Sequence, residues 1–125
     1  MRGLPYYFMT LAVVSILIGM GWGIQMSVTM DHSMHPAHAH LNLIGWVGFA
    51  IFAFYYHLVP AAAGTVIAKV HFALAVVGLV LIVPGIVMAL NQTGETLAKL
   101  GSVLTVLSLL CFGIVVVRGG SASSA

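Results

Sequence analysis

Four long apolar stretches, joined by short connections, constrain the fold of this chain more than any other feature of its sequence. A hydrocarbon core of about 30 Å is crossed by roughly 20 residues of helix. Hydrophobic residues make up 62% of the chain and charged residues only 5%, a balance that excludes a soluble domain of this size. We therefore predict an all-α membrane protein with four transmembrane helices in a single domain, 1–118, followed by a flexible tail at 119–125. The predicted spans lie at about 5–28, 36–59, 66–90 and 96–117.

The few charged residues predict how the chain is oriented in the membrane. Three of the four basic residues, Arg2, Arg118 and Lys69, lie near the two ends and the second connection. Acidic residues lie in the first and third connections, at Asp31 and Glu95, with the fourth basic residue, Lys99, near Glu95. The positive-inside rule then places both termini in the cytoplasm and the first connection on the outer side of the membrane. The basic residues are isolated from one another, so their small excess does not indicate nucleic-acid binding.

Histidines are concentrated at the outer end of the second predicted span. Four of the six histidines of the chain lie between His32 and His40. An unpaired imidazole in hydrocarbon costs several kcal/mol, so a histidine inside a span usually has a function. This argument favours a functional role for His38 and His40. For His32 and His35, which precede the helix, solvation at the membrane surface explains the residues equally well.

Helical geometry separates the two histidines inside the span. Residues two apart on an α-helix diverge by about 200°, so His38 and His40 cannot chelate one metal ion between them. Each must meet a partner on a different flank, which favours two separate axial positions for haem iron over a compact zinc site. Asn42, Gly45 and Trp46 follow on the same helix and suit a porphyrin cleft, although ordinary helix packing also explains such residues.

Copper binding is the alternative function that the outer segment indicates. Thioether and imidazole groups together suit copper in either of its common oxidation states. His32, Met34 and His35 supply these groups, and a copper donor or sensor for respiratory oxidases would use them. A membrane subunit without any cofactor is a third interpretation.

The second span also carries an ordered pattern of histidine and aromatic residues. Residues 37–60 read AHAHLNLIGWVGFAIFAFYYHLVP, with His38 and His40 at one end, Phe-Ala-Ile at 49–51 and Tyr-His-x-x-Pro at 56–60. This pattern resembles the tenth helix of the catalytic subunit of haem-copper oxidases and of the related nitric oxide reductases. The second helix of that subunit has a single histidine that aligns with His38.

The resemblance implies both a fold and a cofactor. In that family twelve helices form three arcs of four, so this chain would form one arc, similar to a part of the catalytic subunit. His40 then matches the low-spin haem ligand of the tenth helix, and His38 matches that of the second helix. A homotrimer would let His40 of one subunit and His38 of its neighbour bind one haem b, whereas a dimer with haem between two second helices would use the same residues less evenly. The resemblance further implies a bacterial inner membrane, an electron-transfer role and a respiratory-chain partner.

The chain departs from the family at the oxygen-reducing centre. That centre needs two adjacent histidines as copper ligands, and this sequence contains no adjacent histidine pair. The resemblance therefore does not imply oxygen or nitric oxide reduction, and we expect no enzymatic activity of that kind. His71 matches no ligand of the family, and we expect it at the membrane interface beside Lys69. The role of His57 at the inner end of the second span is left open.

Overall fold

Four helices long and apolar enough to cross a membrane make up nearly all of the protein. The computed structural model describes residues 1–124, which contain helices and turns but no strand. Four spans were predicted and four candidate spans are found: the first three helices begin and end within about two residues of the predicted ranges, and the fourth begins at Thr96 as predicted but continues to Ser124. This architecture fits a multi-pass membrane protein. The helices are α1 (Gly3–Thr29), α2 (His35–Leu58), α3 (Pro60–Ala63), α4 (Val66–Leu90) and α5 (Thr96–Ser124).

The helix ends follow from local sequence signals. α1 stops where Met30 takes the left-handed conformation, with φ at 57°. Pro36 lies in the first turn of α2, where the missing amide hydrogen costs nothing. The hydroxyl oxygen of Thr65 accepts a hydrogen bond from the Ala68 amide at 3.2 Å and caps the start of α4. These signals make the connections short and bring consecutive spans together as antiparallel neighbours.

The middle of α2 is not a regular α-helix. Residues Leu41–Gly48 form a π-helical segment between the α-helical parts His35–His40 and Phe49–Leu58. The sequence predicted one regular helix here, and that prediction is corrected. A π-segment accommodates an extra residue in a turn and occurs often at functional sites. This segment begins directly after His40, so the register of all later residues of α2 relative to the histidines is changed.

Small residues let the helices approach each other closely. A side-chain carbon added at Gly101 of α5 would lie 2.5 Å from the backbone nitrogen of Ile82 of α4. A side-chain carbon added at Gly85 of α4 would likewise meet the backbone of Ala98 of α5. α4 and α5 therefore pack backbone against backbone, as helices with small residues do in membranes.

An aromatic cluster fills the contact between α1, α2, α4 and α5. The Phe8 ring packs edge-on against Phe49 and Phe52, with ring centres 5.3 and 5.4 Å apart. His71 lies within this cluster and is fully buried. Our expectation of an interfacial His71 is thus wrong. The residue lies on the face of α4 that packs into the bundle, whereas Lys69 lies on an exposed face.

The predicted tail begins inside a helix. α5 continues beyond the expected end of the domain at residue 118 and reaches Ser124. Helix propagation adds one backbone hydrogen bond per residue, so a helix begun upstream can continue through residues of low helix propensity. The backbone of the predicted tail is helical as far as Ser124, its flexibility stays a prediction, and Ala125 lies outside the described residues.

Candidate haem-binding site

His38 lies in the contact between α1 and α2. Its Nε2 atom is 2.9 Å from the carbonyl oxygen of Gly19, close enough for a hydrogen bond. A side-chain carbon at Gly23 would lie 3.3 Å from the same Nε2 atom, so the imidazole rests against the backbone of α1. The Trp22 ring lies edge-on at 6.2 Å between ring centres. Because a carbonyl only accepts, Nε2 carries the hydrogen and donates it to Gly19.

Asn42, one turn further along α2, uses the same nitrogen of His38. Its Nδ2 atom lies 3.2 Å from His38 Nε2, and its Oδ1 atom is buried without a partner in the described part of the chain. With the hydrogen on Nε2, the amide satisfies this contact when its oxygen faces the imidazole. Asn42 also packs against Gly19, where a side-chain carbon would overlap its Oδ1 atom. Both contacts therefore engage Nε2 of His38 inside one chain.

The imidazole of His40 is hydrogen-bonded through its other ring nitrogen, Nδ1. Its Nδ1 atom lies 2.7 Å from the carbonyl oxygen of Pro36, one turn earlier on the same helix. Nδ1 must donate, so its hydrogen is fixed there and Nε2 holds a free lone pair. The side chain is partly exposed, and Nε2 has no hydrogen-bond partner among residues 1–119. An imidazole held by a backbone carbonyl at one nitrogen is the usual form of a metal-binding histidine.

The other predicted porphyrin contacts divide between the inside and the outside of the chain. Gly45 is buried, and a side-chain carbon there would lie 2.6 Å from the Ser15 hydroxyl of α1. Gly45 thus allows α2 to approach α1, as Gly19 does from the other side. Trp46 is only partly buried. The structure therefore brings His38, Asn42 and Gly45 into contact with α1, packs Trp46 partly against the core and leaves His40 partly exposed.

The candidate copper ligands of the outer segment lie at or near the surface of the chain. His32 and His35 are exposed, and Met34 is partly buried. The hydroxyl and the amide of Ser33 donate hydrogen bonds to the Asp31 carboxylate. These bonds, the hydroxyl one more than the amide one, hold the pKa of Asp31 below its usual value. No group of three or more His, Cys, Asp or Glu side chains is placed to hold a metal ion in the part of the chain that the structure describes.

The buried pair of Tyr56 and His71 was missed by our sequence analysis. The Tyr56 hydroxyl lies 2.9 Å from His71 Nδ1, and both side chains are fully buried. His71 Nε2 is buried without a hydrogen-bond partner among the described residues. A signal was present in the sequence, since His71 lies in a stripe of small residues at helical spacing. This stripe comprises Ala68, Ala75, Gly78 and Gly85 and forms the buried face of α4.

Comparison with protein-family models, curated proteins and solved structures finds no match to this chain. The class of protein is therefore stated from the fold alone: an all-helical chain with four candidate membrane spans. The resemblance of residues 37–60 to a haem-bearing helix stays a prediction.

Proposed function

We propose that the protein is a membrane-bound b-type cytochrome that holds haem b at a subunit interface and transfers or stores electrons. The observation that carries the proposal is the state of His40. Its Nδ1 hydrogen is held by the Pro36 carbonyl, which leaves Nε2 as a lone-pair donor on a partly exposed face of a membrane helix. This is the form in which imidazole binds haem iron.

The surroundings of His40 support the same assignment. An imidazole with a free lone pair in hydrocarbon is unfavourable unless a ligand or partner satisfies it. The π-segment begins at the next residue, and such segments accompany ligand sites. The His-x-His pattern at 38–40 adds the family resemblance. Under that resemblance the haem would lie near the outer side of a bacterial inner membrane, and both termini would lie in the cytoplasm.

Haem with two imidazole ligands changes oxidation state without an open coordination position, which suits electron transfer. The protein would supply the axial nitrogen, exclude water and set the distance to a redox partner in the respiratory chain. The sequence offers no adjacent histidine pair for a copper centre, so the proposal does not include oxygen reduction. A homotrimer with His40 of one chain and His38 of the next is the arrangement that the resemblance implies.

The test is an optical spectrum with iron and copper contents per chain, on protein purified in detergent. We expect a Soret band and iron, with the band lost in His40→Ala. His57→Ala is the matched control, because His57 is an exposed histidine at the other end of the same helix. Full haem content in His40→Ala would refute the ligand assignment. Copper without iron would instead support the outer-segment alternative at His32, Met34 and His35.

A further inference from the structure

We infer that the second axial ligand of the iron is His40 of a second copy of the chain, across a two-fold axis, and that His38 is not a ligand. This inference rests on the proposed function. In the homotrimer that the resemblance implies, each haem lies between His38 of one chain and His40 of the next. The inferred dimer has one symmetric interface, with His40 of both chains on one haem. The two arrangements differ in oligomeric state and in haem stoichiometry.

The first step is that His38 has no nitrogen to offer. An iron atom on Nε2 would need the direction that the Gly19 carbonyl oxygen occupies at 2.9 Å. The Asn42 amide lies 3.2 Å from the same atom, and the α1 backbone at Gly23 lies alongside. The remaining nitrogen, Nδ1, is next to the ring's own attachment to the helix, which obstructs a porphyrin plane.

The second step is that no other histidine of the same chain can serve. Two axial nitrogens lie on opposite faces of the porphyrin, about 4 Å apart, twice a metal–imidazole bond of roughly 2 Å. His71 is fully buried in the aromatic cluster. His57 lies at the other end of α2, roughly 25 Å away along the helix. His32 and His35 precede His40 on or just before the same helix, so neither can reach across to the far face of a porphyrin bound to it.

The third step is symmetry. A two-fold axis brings the same residue of two chains together, so two copies of His40 can meet at one iron. A cyclic trimer has interfaces between unlike surfaces, so it would need two different residues, such as His38 and His40. With His38 engaged inside its own chain, a two-fold contact is the arrangement in which His40 alone supplies both nitrogens to the iron.

Exposed apolar side chains follow His40 along α2. Leu43, Val47 and Ile51 have exposed fractions of 64%, 43% and 54%. They leave the lipid-facing side of α2 available for contact with a second copy. The polar side chain of Asn42 is turned away from that side, toward Gly19 of α1.

Wild-type protein provides the first test, since it needs no variant to fold. We expect a dimer by light scattering in detergent and one haem per two chains. A trimer with one haem per chain would overturn the inference while leaving the proposed function intact. Protein without any haem would refute the proposed function itself.

Variants provide the second test. His38→Gln keeps a donor toward Gly19, and we expect it to retain wild-type haem content, whereas His40→Gln loses the haem. His57→Gln serves as the control for loss of a histidine. If His38→Gln also loses the haem, the two variants are produced together in one cell. Recovery of haem in mixed oligomers would show that His38 and His40 act in trans and would overturn the inference, while the absence of recovery supports it.

Discussion

The contact of His38 with α1 predicts a large difference between two neighbouring glycines. Gly19→Ala would place a methyl group where the Asn42 amide group now lies, whereas Gly21→Ala meets no atom within 4 Å. The gain in helix propensity is about the same at both positions, so it cancels in the comparison. Overpacking costs about 1–3 kcal/mol, and the lost hydrogen bond between Asn42 and His38 adds about 0.5–1.5 kcal/mol. We expect Gly19→Ala to be less stable than Gly21→Ala by about 1.5–4.5 kcal/mol.

The measurement is equilibrium unfolding of both variants in mixed detergent micelles, followed by the far-ultraviolet circular dichroism of the helices. The second variant is the control for any general effect of alanine in α1. Equal unfolding midpoints for the two variants would refute the close approach of α1 and α2 at Asn42. A destabilisation of both by the same amount would have the same meaning, since Gly19 faces α2 and Gly21 does not.

Three further predictions concern packing elsewhere in the bundle, and each is checked in the same unfolding assay. Gly85→Ala would force a methyl group into the backbone of α5, so we expect a loss of about 1–3 kcal/mol. Gly113→Ala, which meets nothing within 4 Å, should be neutral, and equal effects would contradict the α4–α5 contact. Tyr56→Phe and His71→Phe should each cost about 1–3 kcal/mol, because each leaves a buried polar atom unpaired. The double variant should cost less than the sum of the two, and strict additivity would show that the pair is not coupled. Thr65→Ala removes the cap of α4 and should cost about 1 kcal/mol, whereas Thr65→Ser should restore most of it.

The pair of Tyr56 and His71 also explains why α4 tolerates a histidine. A buried imidazole needs at least one partner, and the Tyr56 hydroxyl supplies it from α2. The aromatic rings of Phe8 and Phe52 surround the remaining edge, with ring centres 5.2 and 4.5 Å from that of His71. The histidines of this chain thus occupy different environments. Their number near one end of a helix does not indicate which of them has a ring nitrogen available to bind a metal.

The sequence alone determined the membrane architecture of this protein. The number of spans and their bounds follow from the length of each apolar stretch, which is a local property of the chain. Turn and cap residues such as Pro36 and Thr65 likewise act within a few residues of their own position. The prediction that His38 and His40 occupy different surroundings also came from helical geometry alone.

Only the tertiary structure decided which histidine is free. Gly19, the partner of His38, lies nineteen residues earlier on another helix, and Tyr56, the partner of His71, lies fifteen residues away across the bundle. Such contacts depend on how helices approach one another, which the apolar pattern of each helix does not specify. The π-segment of α2 likewise departs from the regular helix that local pattern predicts. For this reason the sequence indicated two candidate haem ligands, and the packing of α1 against α2 leaves His40 as the one with a free nitrogen.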